Sequence, residues 1–392
     1  MFLIQQRLTV KGAFWLASFA ALVGGGIYLG ERWVRSKAEW IPVKAQLRRF
    51  RNSGKYHPIP DPAVGFVDPP NVRQWFATTD FEYLAETDFC GFPNRMPWPS
   101  KIDLLFLGDS LILGVGVGID RDFSRLVGRA LPDGAILNLG IAGAAPNRQL
   151  RAYRKFGASF RPRLVVACIY LAADLDGQLP FDAWLNEGAK TDYNSFRLSF
   201  GDQLHPKPFW GRVQNRCFLC GKMTELALRS TGFPDRFSFP TGQEVLLDAD
   251  ALRFLDEGLS PQDRRLALMK DSLKEIRALA ESQGAQLLVM LIPSKEETYG
   301  GASLPGVLKP VHSLEQSLRE QKFSVLSLYE PLWKRGKDQP VFFTLDIHLN
   351  AYGNQVVADC LVDWLRKNRL LGADETPVKA TKTWLGASRA SS

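Results

Sequence analysis

Five short, predominantly apolar runs constrain this chain more than any other feature. They are DLLFL at 103–107, AILNL at 135–139, LVVACIYL at 164–171, QLLVMLI at 286–292 and FSVLSL at 323–328. Runs of this length without polar alternation suit strands buried on both faces. The stretches between them have helical periodicity, and helices are predicted over 120–131, 147–157, 262–283, 310–321 and 354–367. For the third of these, Ser260 is the expected N-cap, Pro261 the first helical residue and Asp263 the capping-box partner. Strands alternating with helices imply a parallel sheet covered on both sides and joined by right-handed crossovers, a three-layer α/β/α domain.

The rest of the chain frames that domain. With 45% hydrophobic and 23% charged residues among 392, a wholly disordered, collagen-like or coiled-coil protein is excluded. Residues 12–30, GAFWLASFAALVGGGIYLG, carry no charge and follow an N-terminal flank of residues 1–11. At about 1.5 Å per residue this run just spans a bilayer core, so a single transmembrane anchor is expected, with a cleaved signal segment or a buried helix as the alternatives. Residues 31–98, rich in Pro, aromatics and charge, read as a stem and extended lead-in. The domain is placed at 99–372 and a polar, disordered tail at 373–392. An interval at 176–259 interrupts the alternation with Phe181, Trp184, Tyr193, Phe196, Phe200, Phe209 and Trp210, and reads as an aromatic-rich insertion, either a substrate wall or a packed subdomain.

Charge and cysteine usage narrow the function classes. The net charge of +8 is largely juxtamembrane, because eight Lys and Arg fall between Arg32 and Lys55, and no nucleic-acid partner is expected. Arg7 and Lys11 before the apolar run are outnumbered by basic residues after it, which by itself places the domain in the cytoplasm, although long domains are translocated despite their charge. Cys217 and Cys220 form one C-x-x-C with no second pair nearby for zinc, so they are expected as helix-face thiols or a local disulfide.

Chemistry in a parallel sheet sits at the carboxyl ends of the strands. The first run is followed by Gly108-Asp109-Ser110-Leu111, which presents a serine hydroxyl on a turn, and the second by a glycine-rich loop, Asn138-Leu139-Gly140-Ile141-Ala142-Gly143. Backbone N–H groups of both loops can stabilise an oxyanion. Of the four histidines, His57, His205, His312 and His348, only the last is well placed, two residues after Asp346 and just before an amphipathic helix. That aspartate can orient the imidazole, which can take the serine proton.

Together these blocks resemble the GDSL or SGNH hydrolases over residues 100–368. The resemblance implies a flavodoxin-like sheet with Ser110 as nucleophile, His348 as general base, Asp346 as its orienter, and the N–H groups of Ser110 and Gly143 as oxyanion donors. Cys90-Gly91-Phe92 and Ile292-Pro293-Ser294-Lys295 followed by Tyr299 are similar to a membrane-anchored bacterial branch related to exopolysaccharide acetylation. One block departs from the family: Ala173 stands where an oxyanion-completing Asn is expected, with Asn147 a candidate substitute or simply the start of a helix. The spacing Asp346-x-His348 also differs from the commoner Asp-x-x-His. The expected function is a serine esterase or O-acyltransferase acting on acyl esters, acetyl above all, of an extracytoplasmic glycan. The alternatives are a glycan-binding scaffold that has lost activity and a lipase or thioesterase. No metal or organic cofactor is implied, since triad chemistry needs neither. The oligomeric state is not legible in the sequence.

Overall fold

The structure, a computed structural model, describes residues 10–36, 57–131, 135–204, 217–229, 235–260 and 263–370. Pro261, His205, Phe209, Trp210 and the expected disordered tail lie outside the described residues. The chain opens with helix α1 (Val10–Ser36), which contains the charge-free run; the side chains of residues 10–21 are also outside the description. Among the described residues no helix is long and apolar enough to cross a membrane.

The expected lead-in is not extended. It folds into two antiparallel hairpins, β1 (Ile59–Asp61) with β2 (Gly65–Val67) and β3 (Arg73–Ala77) with β4 (Glu82–Glu86). Val64, Phe66 and Phe92 from this region are buried in the same core as the sheet. Their scattered apolar positions have no period of 2 or 3.6, which is why the sequence pattern conceals them.

The five apolar runs become five strands: β5 (Leu104–Gly108), β6 (Ile136–Gly140), β7 (Leu164–Ile169), β10 (Gln286–Leu291) and β11 (Ser324–Ser327), the numbers between belonging to a hairpin described below. They form one parallel sheet in the order β11-β10-β7-β5-β6. Successive strand residues point to opposite faces, so Leu105 and Leu107 join one apolar layer while Leu104 and Phe106 join the other. Helix α2 (Phe123–Gly128) covers the second layer with Phe123 and Val127, and α3 (Pro146–Ala152) covers the first with Leu150.

The interval between β7 and β10 holds α4 (Leu171–Asn186), α5 (Tyr193–Leu204), α6 (Phe218–Arg229), the hairpin β8 (Arg236–Ser238) with β9 (Glu244–Leu246), α7 (Ala249–Glu257) and then α8 (Arg264–Ser282). Its first aromatics are core: Phe181 and Trp184 are buried with Tyr193, the Phe181 and Tyr193 ring centroids 5.2 Å apart. Helix α8 begins later than the Ser-Pro signal suggests. Asp263 is itself the N-cap, accepting from the Arg265 N–H at 2.8 Å, because its short carboxylate satisfies a first-turn donor directly. The remaining helices are α9 (Lys309–Glu320), α10 (Tyr329–Gly336) and α11 (Ala351–Lys367). Met269, Leu273 and Ile276 of α8 pack on the first layer, and Val356, Val357 and Leu361 of α11 on the second, completing three layers. Cys217 and Cys220, at the start of α6, are not disulfide-bonded, and the Cys220 N–H donates to Cys217 Sγ at 3.2 Å.

Candidate active site

The nucleophile turn is built by close packing. A Cβ on Gly108 would meet Ile112 Cγ1 at 2.2 Å, so only glycine lets the chain fold back over the end of β5. Asp109 then turns inward and accepts from the Leu111 N–H at 2.9 Å, leaving Ser110 half-buried at the turn. Asn138 of β6 ties this turn to its neighbours, donating to the Ile112 carbonyl at 2.7 Å and to Ser124 Oγ at 2.9 Å, while Asn94 of the lead-in accepts from the Asn138 N–H at 2.8 Å.

The base arrives from the far end of the chain. Residues 341–350 double back on themselves, with Phe343 N–H donating to the His348 carbonyl at 3.1 Å and Asn350 N–H to the Val341 carbonyl at 3.1 Å. Asn350 caps α11 by accepting from the Gly353 N–H at 2.9 Å. In this frame His348 Nε2 lies 2.8 Å from Ser110 Oγ, and His348 Nδ1 is hydrogen-bonded to Asp346 Oδ1. The three residues expected to act together are thus in mutual reach. Burial pushes the Asp346 carboxyl up, but its hydrogen bond to His348, the charge of that imidazole and the nearby Lys295 ammonium hold it below the ordinary carboxylate range.

On the oxyanion side, Gly143 has φ of +64° and faces solvent. Among the described residues neither its N–H nor that of Ser110 has a hydrogen-bond acceptor. Asn147, the candidate substitute donor, lies at the start of α3. One N–H of its amide donates to the Gln178 carbonyl at 2.9 Å and its Oδ1 accepts from the Arg148 N–H at 2.9 Å, which holds the start of that helix. Ala173 occupies the first turn of α4 and brings no polar side-chain atom. Asp174 beside it is buried and accepts from the Tyr170 N–H at 2.9 Å, and among the described residues its other oxygen has no hydrogen-bond partner. Burial pushes its carboxyl well up, and the neighbouring Asp109 adds to the rise.

Two arginines missing from the sequence reading shape this side. Arg148 is wholly buried and donates to the carbonyls of Val64 at 2.9 Å and of Ala142 and Gly143 at 3.2 Å each, clipping the glycine loop to the lead-in. Its guanidinium carbon lies 4.3 Å from the centre of the Phe66 ring, and burial lowers its pKa to about 10. Arg197 of α5 stands over the other part of this wall, 5.0 Å from the same ring centre, with Nη1 3.1 Å from where a Gly143 Cβ would lie. Neither arginine belongs to a motif; only the burial of Phe66 and the path of α5, which the sequence pattern does not carry, bring them here. Among the described residues no group of three or more His, Cys, Asp or Glu converges as metal ligands do.

A parallel five-stranded α/β domain with a Ser-His-Asp constellation at its strand ends defines the SGNH hydrolase-like class. Residues 253–390 match the family model described as SGNH hydrolase-like domain, acetyltransferase AlgX, in line with the resemblance seen in the sequence. The matched span includes Asp346 and His348, while Ser110 precedes it. Similar solved structures include a lipolytic protein of the G-D-S-L family from Veillonella parvula, 11% identical, covering 68% of this chain and 99% of that one at a TM-score of 0.38. They also include a GDSL-like lipase from Bacteroides thetaiotaomicron, 10% identical over 70% and 93% of the two chains at 0.36. The acetyl xylan esterase AlAXEase is 14% identical over 67% and 100% at 0.37. No curated protein matches the chain.

Proposed function

We propose that this protein is a serine-dependent esterase or O-acyltransferase acting on acyl esters, acetyl in particular, of a polysaccharide outside the cytoplasm. The observation that carries the reading is the continuous chain Ser110 Oγ, His348 and Asp346, with 2.8 Å between hydroxyl and imidazole. Ser110 Oγ attacks the ester carbonyl while His348 Nε2 takes its proton. The oxyanion is met by the N–H groups of Ser110 and Gly143, and the tetrahedral species collapses to an acyl-serine as the alcohol leaves with the proton from His348. Water or a sugar hydroxyl, deprotonated by the same imidazole, then takes the acyl group and regenerates Ser110. The family model's acetyltransferase description and the acetyl xylan esterase among similar structures support the choice of acyl group and of a glycan.

Membrane attachment through residues 12–30 belongs to the same proposal. It is supported by the charge-free run and by the exposure of Leu22, Ile27, Tyr28 and Leu29 on α1, an apolar surface that a bilayer would cover. The test is labelling of the full-length chain in detergent by a fluorophosphonate probe, beside Ser110→Ala and His348→Ala. Labelling of the wild type alone establishes an activated serine. A folded wild type that resists the probe refutes the enzyme reading and favours a glycan-binding role, the second reading that Ala173 motivates.

A further inference from the structure

Two charged side chains outside the triad grip the backbone that carries it. Asp80, in the turn between β3 and β4, accepts from the N–H groups of both Leu345 and Asp346 at 2.7 Å. Lys295, just past β10, donates its Nζ to the Leu345 carbonyl at 2.7 Å and the Asp346 carbonyl at 3.2 Å. The peptide before Asp346 is therefore held at its N–H by an anion and at its carbonyl by a cation. Lys295 is 0% exposed and Asp80 half-buried, and neutral side chains would clip a loop without the desolvation that a buried ammonium and a half-buried carboxylate incur. What ions add is a field, and both act on the Asp346 carboxylate. Burial lowers the Lys295 ammonium's hold on its proton, opposed by Glu296, Asp346, Asp80 and Asp248. Burial raises Asp80, opposed by the two N–H bonds and by Lys295, with Asp346 adding to the rise.

We propose that Lys295 and Asp80 are positioning residues that fix the Asp346–His348 pair and, through opposed charges, set the pH at which His348 becomes a working base. The inference rests on the esterase reading above. By its sign, Lys295 favours the uncharged imidazole and Asp80 the protonated one. The other ionisable groups around the pair, Asp109 behind Ser110, Asp174 beside Asp109, the Tyr83 phenol toward Asp346, and Glu296 and Asp248 around Lys295, are common to all variants.

The experiment is the pH dependence of kcat/KM for 4-nitrophenyl acetate in the full-length chain, with Ser110→Ala as baseline, Lys295→Met and Asp80→Asn. Asp80→Asn keeps the acceptor geometry and removes only charge, so it decides the question even if Lys295→Met does not fold. The expected result is an acidic limb displaced upward by about half a unit or more in Lys295→Met and downward in Asp80→Asn, with kcat reduced about tenfold in the former. Limbs unmoved, or moved in the same direction, beside an active wild type overturn this assignment alone. A wild type with no Ser110-dependent turnover overturns the esterase reading and this assignment together.

Discussion

The two sides of the site are held together by opposite means. On the base side, Asp346 and His348 sit among Lys295, Asp80, Glu296 and Glu297, ions and acids of both signs placed within one network. On the oxyanion side, the Gly143 loop is tied down by Arg148, whose guanidinium, among the described residues, meets carbonyls and aromatic faces and no carboxylate. The first arrangement makes geometry sensitive to protonation; the second makes it sensitive to shape. A charge-balanced network answers to pH and charge substitution, while a lone cation on carbonyls, protonated throughout the working range, answers to volume and backbone conformation.

Three substitutions sharpen this contrast. Asp346→Asn keeps the volume and removes the charge that orients the imidazole, so kcat should fall by about 10⁴-fold with the melting curve little changed. An activity loss under tenfold would show that Asp346 is not the orienting group. Gly143→Ala tests shape: the methyl would sit 3.1 Å from Arg197 Nη1 on a backbone at φ of +64°. Ester turnover should drop by about 10²- to 10³-fold, with the pH profile unmoved, because a donor is displaced and no charge is altered. A displaced profile would place Gly143 in the ionic network instead.

The smallest effect concerns stability. Burial pushes the Glu297 carboxyl up to about 7, and among the described residues its Oε1 has no hydrogen-bond partner, so the folded chain keeps a proton there that the unfolded chain gives up near its ordinary pKa. The folded state binds more protons through that interval, so this contribution is present below the ordinary glutamate range and is lost as pH rises toward 7, an effect of about 3 kcal/mol. Glu297→Gln, which retains an acceptor for the Ser294 N–H, should flatten the decline of Tm between about pH 5 and 8. An unchanged slope would remove Glu297 from the pH-sensitive side.

Much of this was legible in the residues. Every apolar run became a strand of the sheet, because a strand buried on both faces leaves a compositional mark that survives any tertiary context. Ser110, Asp346 and His348 were legible for a related reason: each follows an element whose end is visible in the sequence. Asp80, Asn94 and Arg148 were not, since each acts on backbone atoms far away in sequence, and a hydrogen bond to a distant carbonyl or N–H leaves no pattern around the donor. At Asn147 the sequence left two readings open, because an amide at a loop end looks the same whether it faces a substrate or ties α3 to α4, as its bond to Gln178 does.

The sequence separations inside the site also bear on how the protein comes into being. Ser110 precedes His348 by 238 positions, and Asp80 precedes the backbone it grips by 265. A chain emerging from the ribosome therefore carries its nucleophile long before any base can reach it, and closing so large a loop is deferred until the flanking layers have packed. In the proposed mechanism the Ser110 hydroxyl becomes reactive only once Asp346 and His348, made much later, have reached it.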